Sequence, residues 1–497
     1  MKPAHWAAFA IVMLVALGLR LYRIGAETIW FDEAVTYMGL HEANPMDFFR
    51  HEATRDPKSV PFYYACAYVW YHLGFTSVTA MRMLSVLAGM GVVAGLYFFG
   101  RRFFGHIGGL TAALCVACVK LHVYEAQEIR NYTFTLAVSL FAMFAFHKAA
   151  VENDKRWWKV NVAANVLLSY THFLAMILLF AQGVYLLLTR PREIKRTTLW
   201  TLAHAPFLAL IPLWQKAITT ANFEHETNWI PGSYKLRAFE TYYYVFAGSK
   251  LDAPDFIRAL PFGFVPIHHI LGCAMLLAGA SFAAWSAWVW LKRFESLPGF
   301  KPANALFLLV WLFVPPATLY MIGKIQPVFL ERYVLYSSLA LYLCVGGAVA
   351  ALPWRSAQYG AFALLALVFA GNTVDMIRPL RYDIGAAGGV LRGEYAPGDH
   401  VYSWHEDLQI PLHFYGGVPE DMLVGADDFA EQAVAEAESG KRSWICFFEV
   451  PHRFEHGDVE AAIERHPGIS MTRWVYGGRW NMYLYRLDPG RAEEHLG

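Results

Sequence analysis

Apolar runs of helical length alternate with short polar connectors from the N-terminus to about residue 376. The runs lie at roughly 4–24, 79–99, 106–122, 132–147, 158–174, 175–189, 198–216, 263–291, 303–322, 332–350 and 357–376. A helix of ~20 apolar residues crosses the ~30 Å hydrocarbon layer with every backbone polar group satisfied inside the segment. The pattern therefore predicts about eleven spans. The aromatic stretch "VPFYYACAYVWYHLGF" from Val60 holds about 16 residues, too few to span, and predicts a helix lying at the interface. Beyond about Arg378 the period changes. "DHVYSWH", "SWICFFEV" and "WNMYLYRL" read as strands and "ADDFAEQAVAEAES" as a helix, enough for a small α/β domain over 378–497.

Charge placement orients the bundle. With the Val60 stretch at the interface and the N-terminus inside, Arg101, Arg102, "HKAAVENDKRWWK", "RPREIKR", "LKRFESLPGFK" and Arg355 share one side. Short loops rich in Lys and Arg belong to the cytoplasmic side. The expected fold class is then mainly α, a polytopic transmembrane bundle over 1–377. Interfacial helices occupy its first extracytoplasmic loop, and the small C-terminal α/β domain is extracytoplasmic too. Composition agrees: of 497 residues 57% are hydrophobic and 16% charged, outside the soluble balance. The net charge of +1 gives no ground for a nucleic-acid partner. Five of six cysteines fall in or beside apolar segments and Cys446 stands alone in the tail, which is no disulfide framework. Cys115 and Cys118 have metal-pair spacing but lie in an apolar helix without a second pair, so packing accounts for them. The first run, after a Lys and with no small-residue cleavage site, is expected to remain as a span.

Candidate chemistry sits at one face. The acid pair Asp32 and Glu33 follows the first span, between Trp30, Phe31 and Tyr37. Loop acids usually cap or solvate, yet at membrane depth an idle ionised carboxylate is costly to desolvate. On the same expected side "KLHVYEAQEIRNYTF" offers Glu125, Glu128, Arg130 and Tyr132, "SYTHFLA" offers Tyr170 and His172, and "GKIQPVFLERYVLY" offers Lys324, Arg332 and Tyr333. Singly these are ordinary interfacial anchors. Together, cations around an acid pair suit a reaction in which an acid accepts a proton while cations hold a phosphate.

The order "LRLYRIG…WFDEAVTY", "VPFYY…AMRMLSVLAGM…RRFFG", "VYEAQEIRNYTF", "SYTHFLA" and "PVFLERYVLY" resembles bacterial membrane glycosyltransferases of the GT-C fold. The resemblance is to the family-39 branch, related to protein O-mannosyltransferases and the aminoarabinose transferase of lipid A. It extends to about residue 350, with the acid pair and "QEIRNY" as its most specific portions. It implies an inverting transferase that takes a sugar from a polyprenyl-phosphate donor at the outer face of the bacterial cytoplasmic (inner) membrane. The acceptor is a hydroxyl of a lipid, glycan or protein, and the other partners are membrane lipids. Asp32 would be the general base, and Glu33 would tune its neighbour or orient the acceptor. Arg130 and Arg332 would hold the leaving phosphate, with Lys58, Glu128, Tyr132, His172, Lys324 and Tyr333 as further substrate-binding residues.

One departure concerns the interfacial helix, where relatives carry a His-Pro-Pro or similar motif and this chain has "RDPKSVPFYY", which weakens the roles of Asp56 and Lys58. Some relatives hold a divalent cation between acids of the first loop and of the loop after the third span, a place Asp32 with Glu125 or Glu128 could fill. Arg130, two residues after Glu128, favours a site that requires no metal or other cofactor. His41, His51, Glu42 and Glu52 match no compact metal site. The aromatic loop from Ala217 to Pro261 is expected to act as a lid, and "SWHEDLQIPLHFYGG" in the tail to contact an acceptor or stabilise the domain. The competing class is a transporter or flippase of an anionic glycolipid, which predicts mid-membrane charges and repeated halves; the sequence has neither.

Overall fold

A computed structural model describes residues 2–55, 60–218, 277–288, 300–326, 328–376, 382–404, 408–448, 456–477 and 481–489. The chain divides into two compact units, Met1–Tyr22 with Glu42–Asp375, and Arg23–His41 with Met376–Gly497. The stretch carrying Asp32 and Glu33 thus belongs to the second unit.

The first unit is helical. Its elements are α1 (Pro3–Leu21), α3 (Pro45–Arg55), α4 (Pro61–His72), α5 (Val78–Cys118), α6 (Lys120–Glu125), α7 (Tyr132–Phe146), α8 (Trp157–Ser169), α9 (Ile177–Thr189), α10 (Ile194–Leu202), α11 (Ala205–Leu208), α12 (Leu210–Ile218), α13 (Pro302–Ile322), α14 (Ser338–Ala350) and α15 (Arg355–Met376); α2 lies in the second unit. α5 bends at Gly105, whose φ of +71° suits glycine. The bend separates limbs that match the apolar runs at 79–99 and 106–122. A Cβ at Gly109 would lie 2.6 Å from the Tyr97 carbonyl oxygen, so the limbs fold back on each other at a distance only glycine allows. The interfacial reading of Val60–Phe75 corresponds to α4, 12 residues long.

By length and composition, five described helices can cross a membrane: Pro3–Leu21, Val78–Cys118, Tyr132–Val151, Pro302–Ile322 and Arg332–Ala350. A sixth span is formed if Phe173–Thr189 and Pro191–Ala217, bent by 114°, act as one. The molecule is a multi-span helical membrane protein, with fewer qualifying helices among the described residues than the eleven expected. The run at 198–216 breaks into α10, α11 and α12, the second of which carries a proline in its first turn, where the missing N–H is harmless but ends the preceding helix. Most of the run at 263–291 and of the expected lid lies outside the described residues.

The second unit is α/β. Strands β1 (His400–Ser403), β2 (Leu423–Gly425), β3 (Ser443–Phe448), β4 (Ile469–Tyr476) and β5 (Met482–Pro489) form a sheet of order β2-β1-β3-β5-β4. β1 runs parallel to β2 and β3, and β5 antiparallel to β3 and β4. Alternation along β3 feeds two cores. Trp444 and Cys446 pack with Ile384 and Leu391 of α16 (Ile384–Glu394) and Leu412 of α17 (Gln409–Gly416). Ile445 and Phe447 pack with Ala433 of α18 (Phe429–Glu438) and Ile463 of α19 (His456–Glu464). Helices on both faces explain why β3 reads as one apolar run.

The same unit holds α2 (Phe31–Gly39), which carries Asp32 and Glu33 in its first turn, where the helix dipole favours negative charge. The Thr28 hydroxyl donates to the Tyr382 carbonyl at 3.0 Å, and the Ile29 amide donates to the Tyr415 hydroxyl at 2.7 Å. The Tyr37 ring meets Phe414 edge-on at 5.6 Å. The acid helix is therefore mounted on α17 of the C-terminal domain.

Candidate active site

The "QEIRNY" segment is a turn between α6 and α7, fixed from three directions. Gln127 donates its amide to the carbonyls of Leu19, Arg20 and Tyr22 at 3.3, 2.9 and 2.8 Å, satisfying the orphan acceptors at the end of α1. The Ser85 hydroxyl donates to the Glu128 carbonyl at 2.6 Å, and the Thr133 hydroxyl to the Glu125 carbonyl at 2.8 Å. Asn131 donates to the Thr171 carbonyl at 2.9 Å, tying the turn to the connection between α8 and α9. Nearby, Arg20 donates to the carbonyls of Val116 and Ala117 at 3.0 and 3.1 Å, a cation at the C-terminal end of α5. Such a turn has little freedom, so Arg130 leaves it in a set direction.

Arg130 is buried and lies 6.0 Å from the Tyr64 ring centroid of α4. Arg332, in the 3-10 segment Glu331–Ser337 ahead of α14, covers the Tyr132 ring at 5.1 Å and lies 6.0 Å from that of Tyr333. His172 occupies the turn between α8 and α9, 6.0 Å from the Tyr132 ring and 5.2 Å from Tyr333. Burial, then the positive charges of Arg130 and Arg332, lower the His172 pKa to about 3. The imidazole is therefore neutral at physiological pH, and it lies within electrostatic reach of both guanidinium groups. Its Nδ1 and the Asn131 side-chain oxygen are buried without a hydrogen-bond partner among the described residues. An incoming polar ligand would meet two strong cations, a neutral imidazole and an amide.

Five of the sequence-derived residues, Arg130, Tyr132, His172, Arg332 and Tyr333, are thus gathered by elements far apart in the chain. Glu128 and Glu125 are buried in the pinned turn. Lys324 is exposed in the turn after α13, its ammonium 4.9 Å from the Tyr320 ring. In the second unit Glu33 is fully buried and Asp32 half-buried. Lys58 and Asp56 lie outside the described residues. Among the described residues no three His, Cys, Asp or Glu side chains are grouped to hold a metal ion. Sequence reading missed Gln127 and Asn131 as the residues that position the turn, although both stand inside the quoted motif.

Residues 57–215 match the family model described as dolichyl-phosphate-mannose-protein mannosyltransferase. The structure is similar to that of ArnT from Cupriavidus metallidurans bound to undecaprenyl phosphate, with a TM-score of 0.56 at 14% identity over 98% of each chain. The chain has the GT-C glycosyltransferase fold. The oligosaccharyltransferase AglB from Archaeoglobus fulgidus, in complex with an inhibitory peptide and a dolichol-phosphate, shares this GT-C fold with a TM-score of 0.55 at 11% identity, over 90% of this chain and 69% of that one. The same archaeal enzyme in a complex with Zn and sulfate gives 0.56 at 12%, over 96% and 72%. No curated protein matches the chain. The GT-C likeness is carried by the course of the helices and not by sequence, and the family match covers α4, the α5 limbs and the "QEIRNY" turn.

Proposed function

We propose that the protein is an inverting glycosyltransferase that moves a hexosyl or pentosyl group from a polyprenyl-phosphate donor to an acceptor hydroxyl at the outer face of a bacterial cytoplasmic membrane. The observation that carries this reading is the convergence of Arg130 and Arg332 on His172, with Tyr132 and Tyr333 around them. Two fixed guanidinium groups are suited to a phosphate, because their planar donor forks match its oxygens. The solved neighbours hold undecaprenyl phosphate and dolichol-phosphate, and the family description names a dolichyl-phosphate sugar donor.

In the proposed step the acceptor oxygen attacks the anomeric carbon while its proton passes to the Asp32 carboxylate. The bond from that carbon to the phosphate oxygen breaks, its electron pair stays on the phosphate, and Arg130 and Arg332 stabilise the growing charge. The Asn131 amide and His172 supply hydrogen bonds at the head group. The guanidinium pair meets the need for positive charge without a divalent cation. We assign Glu33, adjacent on α2, to raising the proton affinity of Asp32 or orienting the acceptor.

The test separates transfer from binding. Purified full-length protein in lipid nanodiscs should bind undecaprenyl phosphate, and Asp32→Asn should retain that binding while sugar transfer from extracted lipid-linked sugars falls at least ~100-fold. Movement of labelled lipid-linked sugar across vesicles without its consumption, unchanged by Asp32→Asn, would instead establish transport and refute the proposal.

A further inference from the structure

A cavity of about 1270 Å³ lies in the first unit, and none of Arg130, Tyr132, His172, Arg332 and Tyr333 is among the residues that line it. One wall is a stripe of α8 with helical spacing, including Trp158, Val162, Val166 and Tyr170; the other is the face of α10 and α11 bearing Thr197, Trp200, Ala203 and Phe207. From Trp158 to Tyr170 the stripe rises ~18 Å. That is close to the ~15 Å depth of one leaflet's hydrocarbon.

The two ends differ. At one, the Tyr170 hydroxyl donates to the Phe207 carbonyl at 2.8 Å, and the Phe62 amide of α4 donates to the Tyr170 carbonyl at 2.9 Å. This closes the groove beneath the interfacial helix. At the other end lie Lys155, Lys159, Arg190 and Arg196, with Glu193 as the acid among the lining residues. Glu193 is engaged by Arg196 at 2.9 Å and Arg190 at 3.7 Å. Lys155 and Lys159 are exposed and make no ion pair with the described residues. The net charge of this mouth is positive, and Trp158 beside it is typical of a membrane interface.

We propose that the groove binds one anionic phospholipid, its head group at Lys155, Lys159 and Arg196 and an acyl chain along α8 as far as Tyr170. The head-group end carries the loops that charge placement assigns to the cytoplasm, so the lipid comes from the inner leaflet. The site is distinct from the one proposed for the donor, whose phosphate belongs with Arg130 and Arg332. A donor tail entering from that side would meet the closed end at Tyr170 and Phe207. Because the closure is built on Tyr170, two residues before His172, the bound lipid also supports the turn from below. This inference does not depend on the transfer reaction.

Native mass spectrometry of the full chain, delipidated and then supplied with phosphatidylglycerol or phosphatidylcholine, tests it. The wild type should retain phosphatidylglycerol, and Lys155→Gln with Lys159→Gln should weaken retention about thirtyfold, as two attracting cations are lost near an anionic head group. Ala163→Trp, which fills the groove and leaves the cations in place, should abolish it; unchanged thermal unfolding of each variant confirms that it is folded. Equal retention of the zwitterionic lipid, retention insensitive to both variants, or loss of undecaprenyl phosphate in Ala163→Trp would overturn the proposal.

Discussion

Two buried polar regions of the first unit show how differently a helical bundle can use polar side chains. Around α8, α9 and α10, Asn161 donates to Gln182 at 3.1 Å, Asn165 donates to Gln182 at 2.8 Å, and Gln182 donates back to Asn165 at 3.0 Å. The Trp200 indole donates to Asn161 at 2.9 Å, and His204 joins through Asn165 at 3.3 Å. Every member is neutral or amide-like, and the bonds link three helices. Around His172 the two guanidinium groups of Arg130 and Arg332 carry like charge and lie against aromatic rings, and burial, reinforced by those charges, keeps the imidazole neutral. The first region satisfies itself and works as interhelical glue. The second gathers positive potential from separate elements, the condition for receiving an anion.

Breaking the charged region should have the largest effect. Arg130→Ala, at a buried position, or Arg332→Ala, at a partly buried one, removes a cation proposed to hold the phosphate, and undecaprenyl phosphate affinity should fall by about 3 kcal/mol or ~100-fold. Titration in nanodiscs measures it. The loss of affinity should exceed any change in the unfolding midpoint in mixed micelles.

The neutral region should show the opposite signature. Gln182→Leu strands two asparagines between helices, lowering stability by about 2 kcal/mol. Undecaprenyl phosphate affinity at a permissive temperature should stay within about twofold. A variant that lost binding while keeping stability would erase the distinction.

A milder test lies in the second unit. Tyr415→Phe deletes the acceptor for the Ile29 amide, costing about 1 kcal/mol. Hydrogen exchange at the start of α2 should accelerate, sugar transfer should fall through kcat, and donor affinity should be unaffected.

The smallest expected signal is electrostatic. His172 titrates near 3, below its ordinary ~6.5, so the unfolded chain binds the extra proton first. Its contribution to stability is complete above about pH 6.5 and is lost as pH falls toward 3. Arg332→Gln removes one source of the shift, and the imidazole pKa followed by NMR should rise.

Much of this was legible in the sequence, for identifiable reasons. Periodicity located α1, the α5 limbs, α7, α13 and α14, and it set α4 apart as too short to span. In the tail, the quoted strands correspond to β1, β3 and β5, and the acidic helix to α18. β4 escaped although it alternates, "ISMTRWVY", and β2 has only three residues. The cluster of Arg130, Tyr132, His172, Arg332 and Tyr333 was proposed from shared sidedness, which pattern reading can supply.

Other features depend on contacts that no local pattern carries. The mounting of α2 on α17 joins residues 386 apart in the chain, so the acid pair looked like an isolated loop. The amide network had a signal in Asn161 and Asn165, four apart within an apolar run, but its partners on α9 and α10 emerge only in the folded chain. The break of the 198–216 run was signalled by Pro206 and Pro212, whose effect a hydropathy window averages away.

The most direct test of the account is an experimental structure of the full chain in nanodiscs with undecaprenyl phosphate added. The account predicts the lipid phosphate against the guanidinium groups of Arg130 and Arg332, within reach of Asn131 and His172. A phosphate bound elsewhere, with both arginines turned away from it, would contradict it.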